Sequence, residues 1–171
     1  MTGTPDGMNG ADVAAVARQL GREPRGVARV AHRCPCGDPD VVMTRPRLPD
    51  CTPFPTLYYL TCPRASAAIG TLESSGLMRD MEARLGTEPE LAASYRSAHL
   101  AYLAERDGLE RVEELDGVSA GGMPSRVKCL HVLVAHALAV GPGVNPLGDE
   151  ALAALGPWWD SGSCSAQADT S

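Results

Sequence analysis

Thr56-Leu-Tyr-Tyr-Leu-Thr-Cys-Pro63 is the boundary on which the fold turns. Its first six residues are aromatic, leucine or threonine, the composition of a half-buried strand. Cys62-Pro63 stops that run, because proline has no amide to give to a ladder. Upstream the pattern is also β. Val27-Ala-Arg-Val-Ala-His-Arg33 and Val41-Val-Met-Thr44 are short runs joined through Cys34-Pro-Cys-Gly-Asp-Pro39, a Pro/Gly-rich turn that predicts a hairpin. Residues 46–55 contain four prolines and read as a stiff loop. Three strands connected in this way predict a small antiparallel meander.

Downstream of Pro63 the apolar spacing becomes helical. Ala67, Ile69, Leu72, Leu77, Met78, Met81 and Leu85 predict one helix broken at Ser74-Ser-Gly76, or two short ones. Thr87-Glu-Pro-Glu90 opens a helix that runs to about Leu109, with Leu91, Tyr95, Ala98 and Tyr102 as its buried stripe. Gly121-Gly122, with Pro124 in the first turn, predicts a helix carrying Lys128, Cys129, His131 and His136 and ending at Gly141-Pro142. A short helix follows at 149–155. Before the strands, Val13, Val16, Ala17 and Leu20 predict a first helix capped by Asn9 or Asp12. The expected class is α+β, a three-stranded antiparallel meander packed against four to five helices. A single domain is expected over 10–156, between disordered tails at 1–9 and 157–171.

Composition narrows the function classes. The chain has 171 residues, 44% of them hydrophobic, enough to build one core without a metal or disulfide. Its net charge of −6 argues against non-specific nucleic-acid binding. No run approaches the roughly 18 apolar residues that would span a bilayer, and the N-terminus lacks the features of a secretory signal. The expectation is a cytoplasmic protein whose six cysteines are reduced, so clustered cysteines are ligands or core thiols.

Three groups of residues carry candidate chemistry. Cys34-Pro-Cys36-Gly37 is a knuckle-like turn, with one residue between the cysteines where zinc knuckles usually have two. Cys62 ends the third strand of the same meander, and Cys129 would arrive from the helix. The expected metal set is Cys34, Cys36, Cys62 and Cys129, with His131 or His136 as a substitute ligand. In a regular helix Cys129 and His136 stand about 10.5 Å apart along the axis, and Cys129 and His131 point about 200° apart. Such a site holds zinc or iron. Cys51 and Cys164, in a loop and a tail, receive no role.

The second group is Gly121, Gly122, Ser125, Arg126 and Lys128, joined by Arg45 and Arg47. Free amides and cations at a helix start would suit a phosphate or carboxylate, against the plainer reading of solvated cations beside an ordinary helix start. The third is Cys129 as a nucleophile, with its pKa lowered by Lys128 and Arg126 and a histidine as base. His32 and His99 read as structural.

Arg33-Cys-Pro35, Pro55-Thr-Leu-Tyr-Tyr-Leu-Thr61, Gly121-Gly-Met-Pro-Ser-Arg-Val-Lys-Cys-Leu-His131 and Gly141-Pro-Gly-Val-Asn-Pro-Leu-Gly-Asp149 together resemble the bacterial family called domain of unknown function 501, over about residues 12–156. The Ala-, Arg- and Gly-rich composition is of an actinobacterial type. The resemblance implies no activity. It does imply variation at the positions of Cys36 and Cys62, with histidine at the latter, which suits zinc better than an iron–sulfur cluster and brings in His131 or His136 as a fourth donor. The reading that follows is a binding module with a Cys/His-lined site beside an Arg-rich anion surface, taking a protein partner or a phosphorylated small ligand. The alternative is a zinc- or thiol-dependent hydrolase of a phosphorylated or acylated small molecule.

Overall fold

A computed structural model describes residues 7–160 and 162–164. The elements run α1 (Gly10–Leu20), β1 (Val27–Arg33), β2 (Pro39–Thr44), β3 (Tyr58–Leu60), α2 (Pro63–Glu73), α3 (Leu77–Leu85), α4 (Pro89–Leu109), a 3-10 turn at Glu113–Leu115, α5 (Leu130–Val140) and α6 (Pro146–Ala154). The fold is α+β, and the sheet is an antiparallel meander in the order β1-β2-β3. No helix among the described residues is long and apolar enough to cross a membrane.

The most buried strand takes the centre of the sheet. Every residue of β2 is buried. Its period-two alternation serves both faces: Val41 and Met43 join the main core, while Val42 packs with Val16 of α1, Met8 and Val27 on the opposite face. Backbone bonds from Thr44 to Leu57 (2.7 Å) and from Thr61 to Asp40 (2.8 Å) carry the β2–β3 contact past both ends of β3. The whole Thr56–Thr61 run is therefore held extended, as its composition predicts.

The main core forms around α5, which packs on β3, α2 and α6. Leu130, Leu133, Val134, Ala135, His136 and Ala137 are all buried, so the helix is apolar around most of its circumference, as an interior helix must be. Its approach to α6 is close enough to require Gly148, where a Cβ would fall 2.3 Å from the Leu133 carbonyl oxygen. Asn145 caps α6 through Gly148 N–H at 2.9 Å. Arg106, only 1% exposed, donates from α4 to the Pro55 carbonyl (3.0 Å) and the Leu115 carbonyl (2.8 Å). The proline-rich loop and the 3-10 turn are thereby tied to one guanidinium.

One helix start is corrected. The predicted helix from Gly121-Gly122 begins only at Leu130, and the residues before it form a compact loop with Gly121 and Gly122 both at positive φ. The loop closes on itself: Arg126 N–H donates to the Gly122 carbonyl and Lys128 N–H to the Gly121 carbonyl, each at 2.8 Å. A Cβ on Gly122 would sit 2.8 Å from the Arg126 oxygen, so the second glycine serves this closure and not a helix start. Much of the predicted tails, 1–6, 161 and 165–171, lies outside the described residues. Within the described part, Met8 is buried, Trp158 and Trp159 pack near Cys34 and Cys62, and Cys164 is 2% exposed.

Candidate functional site

Two clusters of reactive side chains emerge among the described residues, and between them they hold every member of the expected metal set except His136. The first lies where the β1–β2 turn meets the start of α2. Gly37, at φ 97°, lets the turn curl so that its N–H donates to the Cys34 carbonyl (2.8 Å), while Cys34 N–H donates to Asp38 (2.9 Å). Cys62 occupies the N-cap of α2, where its sulfur accepts from Ala65 N–H at 3.5 Å. The structure brings Cys34, Cys36 and Cys62 to one place, with Cys164 beside them. Cys34 Sγ and Cys164 Sγ are 3.7 Å apart. The ligating atoms of Cys34, Cys36 and Cys164 all lie within 4.8 Å of one another. Burial pushes the Cys34 thiol up to about 11, and burial with the neighbouring sulfurs pushes Cys164 up further still.

Cys129 is not in this group, which corrects its expected place as the fourth ligand. It pairs instead with His131, the residue that helical geometry would send the opposite way. The reason is local. Cys129 is the N-cap of α5, with extended backbone (φ −153°, ψ 109°), so the angular step of a helix does not apply between it and His131. Glu73, the last residue of α2, completes the second cluster. The sulfur of Cys129, a ring nitrogen of His131 and a carboxylate oxygen of Glu73 lie within 4.8 Å of one another, a grouping that could also hold a metal ion. His131 Nδ1 is 2.9 Å from Glu73 Oε1, and Nε2 is 3.1 Å from the Ser66 carbonyl. The same Glu73 oxygen accepts Leu130 N–H at 2.8 Å and so satisfies the first amide of α5.

The electrostatics of this cluster follow from its geometry. With a carboxylate at one ring nitrogen and a carbonyl at the other, both nitrogens of His131 are satisfied only as donors, that is, as imidazolium. The Cys129 sulfur, and after it Glu73, push His131 up to about 9 against the opposing effect of burial. Burial raises the Cys129 thiol, yet His131 and the Val132 amide outweigh it and hold the thiol below its ordinary value. The cluster opens on a cleft of about 390 Å³ lined by Thr56, Tyr58, Tyr59, Leu60, Ser66 and Val132 besides Cys129 and His131.

His136 belongs to neither cluster. It is fully buried, stacked on Tyr58 with ring centroids 5.9 Å apart and edge-on to Tyr102 at 5.1 Å. Its Nδ1 faces Asn145 Nδ2 at 3.2 Å, so Nδ1 accepts and Nε2 carries the proton. Burial lowers its pKa to about 4. It is a neutral core residue.

The expected anion site is met by the protein's own carboxylates. Glu82 takes Arg126 Nε at 2.8 Å and Val127 N–H at 3.0 Å, and Glu73 takes the leading amide of α5. Arg47 pairs with Glu114 at 2.9 Å. Ser125 and Lys128 are exposed on the loop. Arg45 lies just past the end of β2, where its N–H donates to the Gly26 carbonyl at 2.7 Å.

Two residues of these clusters escape a reading of the sequence. Glu73 ends a helix and has no motif around it. Cys164 follows Trp158-Trp159, and in a chain with so few aromatics that pair is the available sign of a packed segment.

The family described as protein of unknown function (DUF501) matches residues 30–153, well over half of the chain. No curated protein matches, and no solved structure does. Glu73, Cys129 and His131 fall inside the matched span, whereas Cys164 falls outside it.

Proposed function

The chain belongs to the DUF501 family, whose description names no activity, and we propose from the arrangement of its own residues that it is a thiol-dependent enzyme cleaving acyl esters or thioesters. The observation that carries this reading is the Cys129–His131–Glu73 cluster, whose thiol and imidazole line a cleft. It has the three parts such chemistry needs: a thiol of lowered pKa, an imidazole beside it, and a carboxylate that orients the imidazole.

The Glu73–His131 distance favours a proton over a metal ion between these two groups. Two ligand atoms bound to one tetrahedral zinc at about 2.0 Å lie about 3.3 Å apart. The observed 2.9 Å is a hydrogen-bond length.

In the proposed reaction the Cys129 thiolate attacks the carbonyl carbon and forms a C–S bond. The bond to the leaving oxygen or sulfur breaks, its electron pair stays on the leaving atom, and His131 gives that atom its Nε2 proton, released from the Ser66 carbonyl while Glu73 holds Nδ1. The neutral imidazole then removes a proton from water as the water attacks the acyl-enzyme. The carboxylic acid departs and the Cys129–His131 ion pair is restored. Tyr59, Leu60 and Val132 offer an apolar wall for the acyl group, and no Arg or Lys lines the cleft among the described residues. That lining favours an acylated substrate over a phosphorylated one.

Incubation of the full chain with p-nitrophenyl acetate, followed by mass spectrometry of the intact protein and its peptides, tests the reading. An acetyl group should appear on Cys129, and a Cys129→Ser protein should lack it. Acetylation of the exposed Cys51 with Cys129 unmodified would overturn it.

A further inference from the structure

We propose that Cys34, Cys36, Cys62 and Cys164 form a tetrathiolate site for a zinc ion that fastens the C-terminal segment to the β1–β2 turn and the start of α2. Four sulfurs from three separate parts of the chain meet in one cluster, with Cys34, Cys62 and Cys164 buried and Cys36 half-buried against them. Cys164 Sγ lies within 4.8 Å of the sulfurs of Cys34 and Cys36, and Cys62 packs in the same cluster.

The spacing of Cys34, Cys36 and Cys164 suits zinc, and Cys62, packed in the same cluster but outside their 4.8 Å group, would close in to complete the set. Ligands bound at 2.3 Å to a tetrahedral centre lie about 3.8 Å apart along each edge. Cys34 Sγ and Cys164 Sγ are 3.7 Å apart, far beyond the roughly 2.05 Å of a disulfide. Cys36 falls within 4.8 Å of both.

The surroundings suit it as well. The Ala65 amide donates to Cys62 at 3.5 Å, as a thiolate sharing a dication requires, while Cys36 Sγ lies 3.8 Å from the Asp38 carboxylate. Trp158 and Trp159 pack against the cluster with rings edge-to-face at 4.8 Å, covering it. Every sulfur being a protein ligand, no position is left for water, so the site is structural.

The docking of the C-terminal segment has support beyond the sulfurs. Ser163 Oγ donates to Asp38 at 2.6 Å, and Arg64 reaches the Gly162 carbonyl at 3.1 Å. Through Cys62 the ion would also hold the first turn of α2, the helix whose last residue is Glu73. The metal would then stiffen the element that presents the carboxylate to His131 without entering that site.

Elemental analysis of the full chain and a cobalt(II) spectrum test the proposal. Wild type and Cys129→Ser should each carry about one zinc per chain, and cobalt(II) in its place should give sulfur-to-metal charge-transfer bands. Cys164→Ser should lose the metal. If that variant does not fold, the wild type still decides. Zinc should then shield Cys34, Cys36, Cys62 and Cys164 from a thiol reagent and leave Cys51 and Cys129 open to it. Wild type that takes up neither zinc nor cobalt, a Cys164→Ser protein that keeps its zinc, or a Cys129→Ser protein that loses it would overturn the assignment.

Discussion

Glu73 Oε1 lies 2.9 Å from His131 Nδ1 and 2.8 Å from the Leu130 amide, so one oxygen from the last residue of α2 caps α5 and adds to the Cys129 sulfur in favouring the charged histidine. A Glu73→Gln protein keeps an acceptor for the amide and loses the charge. The His131 pKa should then fall part of the way from about 9 toward its ordinary 6.5, the Cys129 sulfur still holding it up, as read from the ring-proton shifts in NMR titrations of the two proteins. An unchanged titration would show that Glu73 does not act on the ring.

Thiol reactivity should follow charge before exposure. Cys51 is exposed and Cys129 half-buried, yet iodoacetamide near pH 7 should modify Cys129 about tenfold faster, because the thiolate is the attacking species. His131→Asn should abolish the advantage. Peptide mapping over a time course measures both rates, and a faster Cys51 would contradict the ion pair.

Stability should fall in acid through His136. Its folded pKa of about 4 lies below the unfolded value, so the folded state binds fewer protons. The contribution is fully present above about pH 6.5 and is lost as pH drops through 4. A difference of this size corresponds to at most about 3 kcal/mol. Urea midpoints between pH 7 and 4 should therefore slope downward in wild type and less steeply in His136→Phe, whatever offset the substitution adds. Parallel slopes would remove His136 as the cause.

Close helix contact makes Gly148 intolerant of a single methyl. Gly148→Ala must push α6 off the Leu133 carbonyl, at a cost of about 3 kcal/mol by analogy with overpacked cores. Gly10→Ala, where a Cβ meets nothing within 4 Å, is the control. Equal unfolding midpoints for the two variants would mean that the helices separate freely.

Local chemistry carried most of the fold into the sequence. The β run ending at Cys62-Pro63, the break at Ser74-Ser-Gly76 and the proline start of α4 all act within a few residues. Propensity, caps and turns report such effects directly. The glycine pair at 121–122 misleads for the same reason. Its residues read alike as a helix start or a closed loop, and only the bonds from Arg126 and Lys128 back to the glycine carbonyls distinguish the two.

The sites were legible in residue type and not in partnership. Cysteines and histidines with unusual chemistry stand out along the chain, but which of them meet depends on contacts between distant segments. Cys164 reaches Cys34 across 130 positions, and His131 finds Glu73 across 58. Even the nearest pair, Cys129 and His131, was decided by packing. Glu73 supplies the acceptor that lets α5 begin at Leu130, and that start leaves Cys129 extended and able to face His131. Sequence by itself determined the α+β class, the meander and the inventory of reactive groups, because these follow from short-range stereochemistry. Tertiary structure alone sorted that inventory into a buried sulfur cluster and an open Cys–His–Glu cleft, because burial and long-range contact determine which groups share a site and which of them carry charge.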